Sequence, residues 1–360
     1  MRDDPVRDRY SLRGRGAGSN PAVRFETTHR ESIDDGWPRD EDLPVLRTQV
    51  REETAKSIIS TNRSPDLSFD RSINPYRGCE HGCIYCYARP SHAFLGLSPG
   101  LDFETQLTVK PNAAEVLERS LRKPGYAPQT IAIGTNTDPY QPIEKQRGVM
   151  REVLQVLSDF KHPTAIVTKG TLVARDIDIL APMAAAGLLR VGITITTLDP
   201  VLSRKLEPRV PHPDARLRVI RQLTDAGIPV RVMISPVIPA LTDHEVELIL
   251  QAAWDAGAVA ASSIILRLPR EVAPLFKDWL NTHYPDRAAR VMNRVRELHG
   301  GKDYDPEFGT RMAGQGVWAD LQRQRFRRAA AKLGLDRSLP RLRTDLFAVP
   351  PQAGDQLALF

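Results

Sequence analysis

The chain has 360 residues, 41% hydrophobic and 26% charged, the balance of a soluble protein with a sizeable core. No run approaches the ~20 consecutive apolar residues of a membrane span, and Met1-Arg2-Asp3-Asp4-Pro5 lacks the apolar segment of an export signal. Collagen, coiled-coil, membrane and disulfide-rich secreted classes are excluded, so the sequence reads as a cytoplasmic globular protein whose net charge of +6 leans toward anionic partners.

Residues 1–65 are polar, and Arg13-Gly14-Arg15-Gly16-Ala17-Gly18-Ser19-Asn20-Pro21 lacks apolar periodicity, which predicts a disordered or loosely draped extension. From about Asp66 short β-branched runs alternate with amphipathic stretches. Strands are predicted at Leu67–Ile73, Thr130–Gly134, Thr164–Thr168, Arg190–Thr196, Pro229–Ser235 and Ser262–Leu268. Helices are predicted at Ala113–Arg122, Lys145–Phe160, Leu172–Ala186, Asp214–Ala226 and Asp243–Ala256. Gly187, Gly227 and Gly257 read as helix stops. Thr242 and Glu245 read as a capping box, and Pro213 as a first-turn residue. Strand–helix alternation at this interval implies parallel β/α units: a partial (β/α)6 barrel over 66–299, although periodicity alone also allows a doubly wound sheet. Residues 300–360 read as a basic helical extension and tail.

All three cysteines fall in Gly78-Cys79-Glu80-His81-Gly82-Cys83-Ile84-Tyr85-Cys86-Tyr87. Three readings fit. The positions match a buried helical stripe, but Pro75, Gly78 and Gly82 oppose helix. A zinc site could be completed by His81 or His92. An iron–sulfur cluster normally takes four thiolates; this chain has three, so one iron would stay open to a substrate or cofactor.

The strand ends carry the remaining chemistry. Gly134-Thr135-Asn136-Thr137-Asp138-Pro139-Tyr140-Gln141-Pro142 follows the second strand, Thr168-Lys169 the third, and Thr194, Thr196 and Leu206-Glu207-Pro208 the fourth. Hydroxyls suit a ribose, and charged groups suit the head of an amino acid or a phosphate.

The C-x3-C-x-aromatic-C pattern, with Tyr85 as the aromatic, resembles the signature of the radical S-adenosylmethionine (SAM) superfamily. The Gly-Thr-x-Thr-Asp-Pro-Tyr-Gln-Pro loop, Thr168-Lys169 and Glu207-Pro208 resemble its spore photoproduct lyase branch, often labelled DNA repair photolyase-like, over roughly Asp66 to Pro285. The resemblance implies that Cys79, Cys83 and Cys86 bind a 4Fe–4S cluster whose fourth iron chelates SAM. It implies reductive cleavage of SAM to a 5′-deoxyadenosyl radical, with electrons from a donor such as flavodoxin or ferredoxin. Tyr85 would then line the adenine side, and Thr137, Lys169, Thr194, Thr196 and Glu207 would serve SAM. Tyr87, Thr135 and Asp138 would border the substrate, expected to be nucleic acid or a nucleobase; the alternatives are a radical SAM enzyme modifying a protein or metabolite, and a zinc-stabilised nucleic-acid-binding protein without catalysis. One departure stands out: the lyases' additional hydrogen-donating cysteine falls at or near Thr135, and this chain has no spare thiol.

Leu321 to Arg343 holds eight basic residues against the single acid Asp336, a footprint for nucleic acid or a solvated helix face. The terminal Gln356-Leu357-Ala358-Leu359-Phe360 resembles the pentapeptide by which bacterial DNA-repair and replication proteins dock on the sliding clamp.

Overall fold

The computed structural model describes residues 12–25 and 44–352; Gln356, Leu357, Leu359 and Phe360 lie outside them. Its strands are β1 (Gln49–Glu52), β2 (Ile59–Thr61), β3 (Arg71–Ile73), β4 (Tyr76–Arg77), β5 (Gln106–Val109), β6 (Ile131–Ile133), β7 (Thr164–Thr168), β8 (Leu189–Thr194), β9 (Val230–Val237) and β10 (Ala260–Ile265). Its helices are α1 (Leu101–Thr105), α2 (Ala113–Leu121), α3 (Glu144–Arg147), α4 (Val149–Asp159), α5 (Ile177–Ala185), α6 (Pro200–Leu206), α7 (Pro213–Asp225), α8 (Val246–Asp255), α9 (Val272–His283), α10 (Pro285–Leu298) and α11 (Val317–Lys332).

A seven-stranded sheet runs in the order β10-β9-β8-β7-β6-β3-β2. All its neighbours from β3 to β10 are parallel, and β2 is added antiparallel at one edge. This is the expected partial (β/α)6 barrel. A second, three-stranded sheet of β1, β5 and β4 flanks the cysteine loop. The two ends of the larger sheet are bridged by one segment: Met312 O accepts from Ile265 N (3.0 Å), while Arg311 pairs with Asp66 (2.6 Å) in the loop before β3. That anchoring holds residues 67–70 out of the sheet, so the predicted Leu67–Ile73 strand shortens to its last three residues. At the opposite edge β10 starts two residues earlier than predicted.

Gly187, Gly227 and Gly257 all take left-handed φ angles (72°, 76° and 98°), as helix stops should. Pro213 opens α7. The predicted Lys145–Phe160 helix, however, breaks at Gly148 (φ 67°). The break creates a new helix start, and the Glu144 carboxylate accepts Met150 N (3.1 Å) there. The predicted Leu172–Ala186 helix opens as a 3-10 turn over Thr171–Asp176, because the Asp176 carboxylate is drawn inward to Tyr140, Arg151 and Arg175. The Thr242/Glu245 capping box does not form. Glu245 instead accepts from Thr197 Oγ1 (2.6 Å) and Leu198 N (2.6 Å), pinning the loop after β8, and the helix starts with a 3-10 turn over Asp243–Glu245.

Arg13–Pro21 is irregular but packed, contrary to the loosely draped reading: Ala17 is buried, and Gly16 and Ala17 donate to the buried Glu104. The basic stretch does lie on a helix, α11, yet part of its charge is spent. Arg323 pairs with Asp320, Arg325 with Glu247 and Arg343 with Asp345, while Arg327, Arg328, Lys332, Arg337 and Arg341 are exposed. α11 runs beside β10 from its C-terminal end, where Ala319 packs with Ile265, toward its start, where Leu335 O accepts Ala261 N (2.9 Å). Among the described residues no helix is long and apolar enough to cross a membrane.

Ile193 of β8 is 1% exposed within the main core. Ile193→Ala should cost roughly 2–5 kcal/mol in denaturant unfolding, whereas Val317→Ala, at a position 82% exposed, should change stability by less than about 0.5 kcal/mol.

Candidate active site

The cysteine loop leaves β4 and runs into a 3-10 turn at Arg89–Leu95. Gly78 and Gly82 take φ angles of 74° and 66°. Side chains there would collide: a Cβ on Gly78 would lie 2.9 Å from Phe103 O, and one on Gly82 would lie 2.7 Å from Glu104 Oε2. Glycine therefore lets the backbone curl tightly around the thiols. Cys79 and Cys83 are buried in separate apolar clusters, and Cys86 is partly buried and packs against both clusters.

Loop carbonyls in this irregular backbone need donors, and Arg89 supplies them. Its fully buried guanidinium donates to Cys83 O (3.0 Å), Gly82 O (3.1 Å), Pro99 O (3.1 Å) and Gly100 O (2.9 Å), and pairs with Glu104. From the β6 side, Gln141 accepts Glu80 N (2.8 Å) and donates to Gly78 O (3.3 Å). Asp138 faces His81 Nδ1 (3.3 Å) and accepts from Thr168 Oγ1 (2.6 Å), Lys169 N (2.8 Å) and Tyr140 N (2.9 Å). Burial pushes the Asp138 carboxyl up, but His81 and these donors hold it below its ordinary value. Both Asp138 oxygens are engaged by the scaffold and tie the loop to β7 and to the cysteine loop. Thr137 Oγ1 donates to Tyr76 O (3.1 Å).

Tyr85, Lys169, Thr196 and Glu207 do come together. Glu207 Oε1 accepts from the Tyr85 hydroxyl and from Thr196 Oγ1 (2.8 Å), and lies 3.2 Å from Lys169 Nζ. Its other oxygen meets Arg216 (2.9 Å), which also donates to Thr194 O (3.0 Å). Lys169 Nζ reaches Ser235 O (3.3 Å) and stands 5.7 Å from the Tyr85 ring centroid. Burial pushes the Glu207 carboxyl up, yet Lys169, Arg216, Tyr85 and Thr196 together hold it at about 2. Burial pushes all three thiols up; at Cys83 the Glu207 charge adds to this while Lys169 and Arg89 oppose it, and at Cys86 Arg89 and Lys169 oppose it. A second group sits at the rim, where the half-exposed Tyr87 donates to Thr135 O and lies under Arg267 (4.6 Å).

Arg216, Ser235, Arg267, Arg89, Glu104 and Gln141 were not foreseen as site residues. Arg216 carried a signal: it falls on the apolar stripe of α7 with Val219, Ile220 and Leu223, where an arginine needs a buried partner. The histidines proposed for zinc are placed otherwise. His81 faces Asp138, and His92 packs edge-on against Phe103 (5.5 Å), held at about 4 by burial. Among the described residues no three His, Cys, Asp or Glu side chains are placed to hold a single metal ion. Three soft donors in a dry loop with adjacent positive charge suit a cluster with one iron not held by cysteine.

The Glu207 geometry has a pH signature. With the folded carboxyl at about 2 against an ordinary 4.5, its contribution to stability is complete above the higher value and is lost as pH falls toward the lower. In metal-free protein Glu207→Gln should cost roughly 3–5 kcal/mol at neutral pH, and its gap from wild type should narrow across that acid range. Denaturant unfolding at stepped pH checks this; a constant gap contradicts it.

Comparison with known proteins agrees with the geometry. The family model described as "Radical SAM superfamily" matches residues 73–253. An uncharacterized protein of Mycobacterium tuberculosis, Rv2578c, is 40% identical over 243 residues, covering 67% of this chain and 70% of that protein. The uncharacterized protein MJ0683 of Methanocaldococcus jannaschii is 28% identical over 241 residues, covering 67% and 86%. Among solved structures, spore photoproduct lyase complexed with dinucleoside spore photoproduct superposes with a TM-score of 0.56 at 15% identity over 79% of each chain, a likeness of fold. The chain belongs to the radical SAM superfamily, and with that membership it is an enzyme using a 4Fe–4S cluster and SAM.

Proposed function

We propose that this enzyme acts on nucleic acid or a nucleobase presented unpaired at the barrel mouth. Cys79, Cys83 and Cys86 would hold the cluster, while Lys169 and Thr196 offer a cation and a hydroxyl to SAM beside it. When bound, the cluster and SAM would supply radical chemistry at this mouth. Glu207 and Arg216 keep Lys169 and Tyr85 in place through the ion pairs described above. Tyr87 and Thr135 border the substrate side.

The observation that carries the substrate reading is the rim. Arg24 lies over Phe25 (5.2 Å) and Phe94 (5.8 Å), whose rings stand 5.3 Å apart, and these rings are 59% and 72% exposed. Arg24 also donates to Pro90 O (3.0 Å) and pairs with Glu271 after β10, so the group spans the strand C-terminal side next to the cysteine loop. Exposed aromatic faces interleaved with guanidinium planes are what unpaired bases stack upon. With Arg267 on Tyr87 they form two such stacks. All three cysteines lie in the loop, so no thiol stands at Thr135; the chemistry on the base differs from a relay that ends at a protein thiol.

The test uses anaerobically loaded enzyme with dithionite and SAM. Single-stranded DNA or RNA should raise 5′-deoxyadenosine release above the uncoupled rate, and no rise with either contradicts the proposal. The double variant Phe25→Ala/Phe94→Ala should weaken binding of a single-stranded oligonucleotide by about 1–3 kcal/mol per lost stack.

A further inference from the structure

We infer that Arg15 to Pro21 form a latch over the cysteine loop, with Gly16 and Glu104 as positioning residues for the cluster. The inference is independent of the substrate. It starts from Glu104, a fully buried carboxylate on α1. Oε2 accepts Gly16 N (2.9 Å), and Oε1 accepts Ala17 N (2.8 Å) and the Arg89 guanidinium. The latch and Arg89 thus share the Glu104 carboxylate, and Arg89 holds the carbonyls of Gly82 and Cys83.

The fit is too close for a side chain. A Cβ on Gly16 would lie 1.9 Å from Gly82 O, so the latch backbone rests directly on the loop backbone between the first two cysteines. Ala17 joins Cys83, Ile84 and Leu101 in one apolar cluster. Both ends are tied down. Arg15 donates to Glu104 O (3.0 Å), Leu46 O (2.7 Å) and Thr48 Oγ1 (3.2 Å), and Thr48 donates to Glu80 Oε1 (2.6 Å) inside the cysteine loop. Asn20 exchanges bonds with Asp102 (3.0 Å each way), Ser98 Oγ donates to Pro21 O (2.7 Å), and Leu101 N donates to Ser19 O (3.2 Å).

A buried carboxylate–guanidinium pair is stable only while its lone pairs and protons stay satisfied. Removing the latch takes two N–H donors from Glu104 and opens Gly82 and Cys83 to water. The latch therefore governs how tightly the loop retains iron and how slowly its amides exchange.

The experiment measures iron release from anaerobically loaded protein to a strong ferrous chelator. Gly16→Val, which blocks docking, should speed release at least about tenfold, the effect of losing one charge-assisted bond. Glu104→Gln should have a smaller effect than Glu104→Ala. Leu157→Ala, a core truncation at the C-terminal end of α4, which leads into the start of β7, should lower the thermal midpoint without speeding release. Wild-type retention in Gly16→Val, or equally fast release in Leu157→Ala, overturns the inference. Should Gly16→Val take up no cluster, hydrogen exchange in the metal-free proteins decides. Faster exchange confined to residues 78–89 supports the latch, and unchanged exchange there overturns it.

Discussion

Wrapping a chain segment around a bulky inorganic group forces the backbone out of helix and sheet, and every carbonyl so displaced must find a donor without closing the cavity. Here one buried guanidinium meets that constraint. Arg89 serves four carbonyls at once, and Glu104 balances its charge. A lysine could not do this, since three donors on a flexible stem neither span four acceptors nor pre-organise a fork. A buried ion pair is weak evidence for stability. Its value here is conformational: it defines the path of the loop, and with it the directions of the three thiols.

The second organising feature is electrostatic. Glu207 gathers Lys169, just after β7, and Arg216 of α7, so neither cation is left unpaired in the interior. The carboxylate orients the lysine and the Tyr85 hydroxyl beside the cysteine loop. The barrel contributes by bringing the ends of β6, β7, β8 and β9 to one mouth, so groups distant in sequence meet beside the loop.

How much of this was legible follows from how local each signal is. The three cysteines and their glycines are contiguous, so cluster, cofactor and family could be read directly. Strand–helix alternation and the stop glycines gave the barrel, since each depends on residues within one element. The readings that failed had partners far along the chain. Gly16 and Ala17 look like a solvated tail because a strap held by backbone N–H groups has the same composition as one held by water; its partner Glu104 is 88 and 87 residues away. Glu245 has the right spacing for a cap, yet two donors after β8 hold it more strongly. Asp138 and Thr137 follow β6, and their side chains bond to Thr168 and to Tyr76 O. In the basic run Arg323, Arg325 and Arg343 pair with Asp320, Glu247 and Asp345, and the other five basic side chains are exposed.

The central claim is that this loop holds a cubane with one iron left free for SAM. Mössbauer spectroscopy of anaerobically reconstituted protein, recorded with and without SAM, tests it most directly. About four irons per chain are expected, with one resolved iron site shifting on SAM addition and the others unmoved. A cluster spectrum that SAM leaves unchanged, or protein that takes up no iron and sulfide with all three thiols intact, contradicts the account.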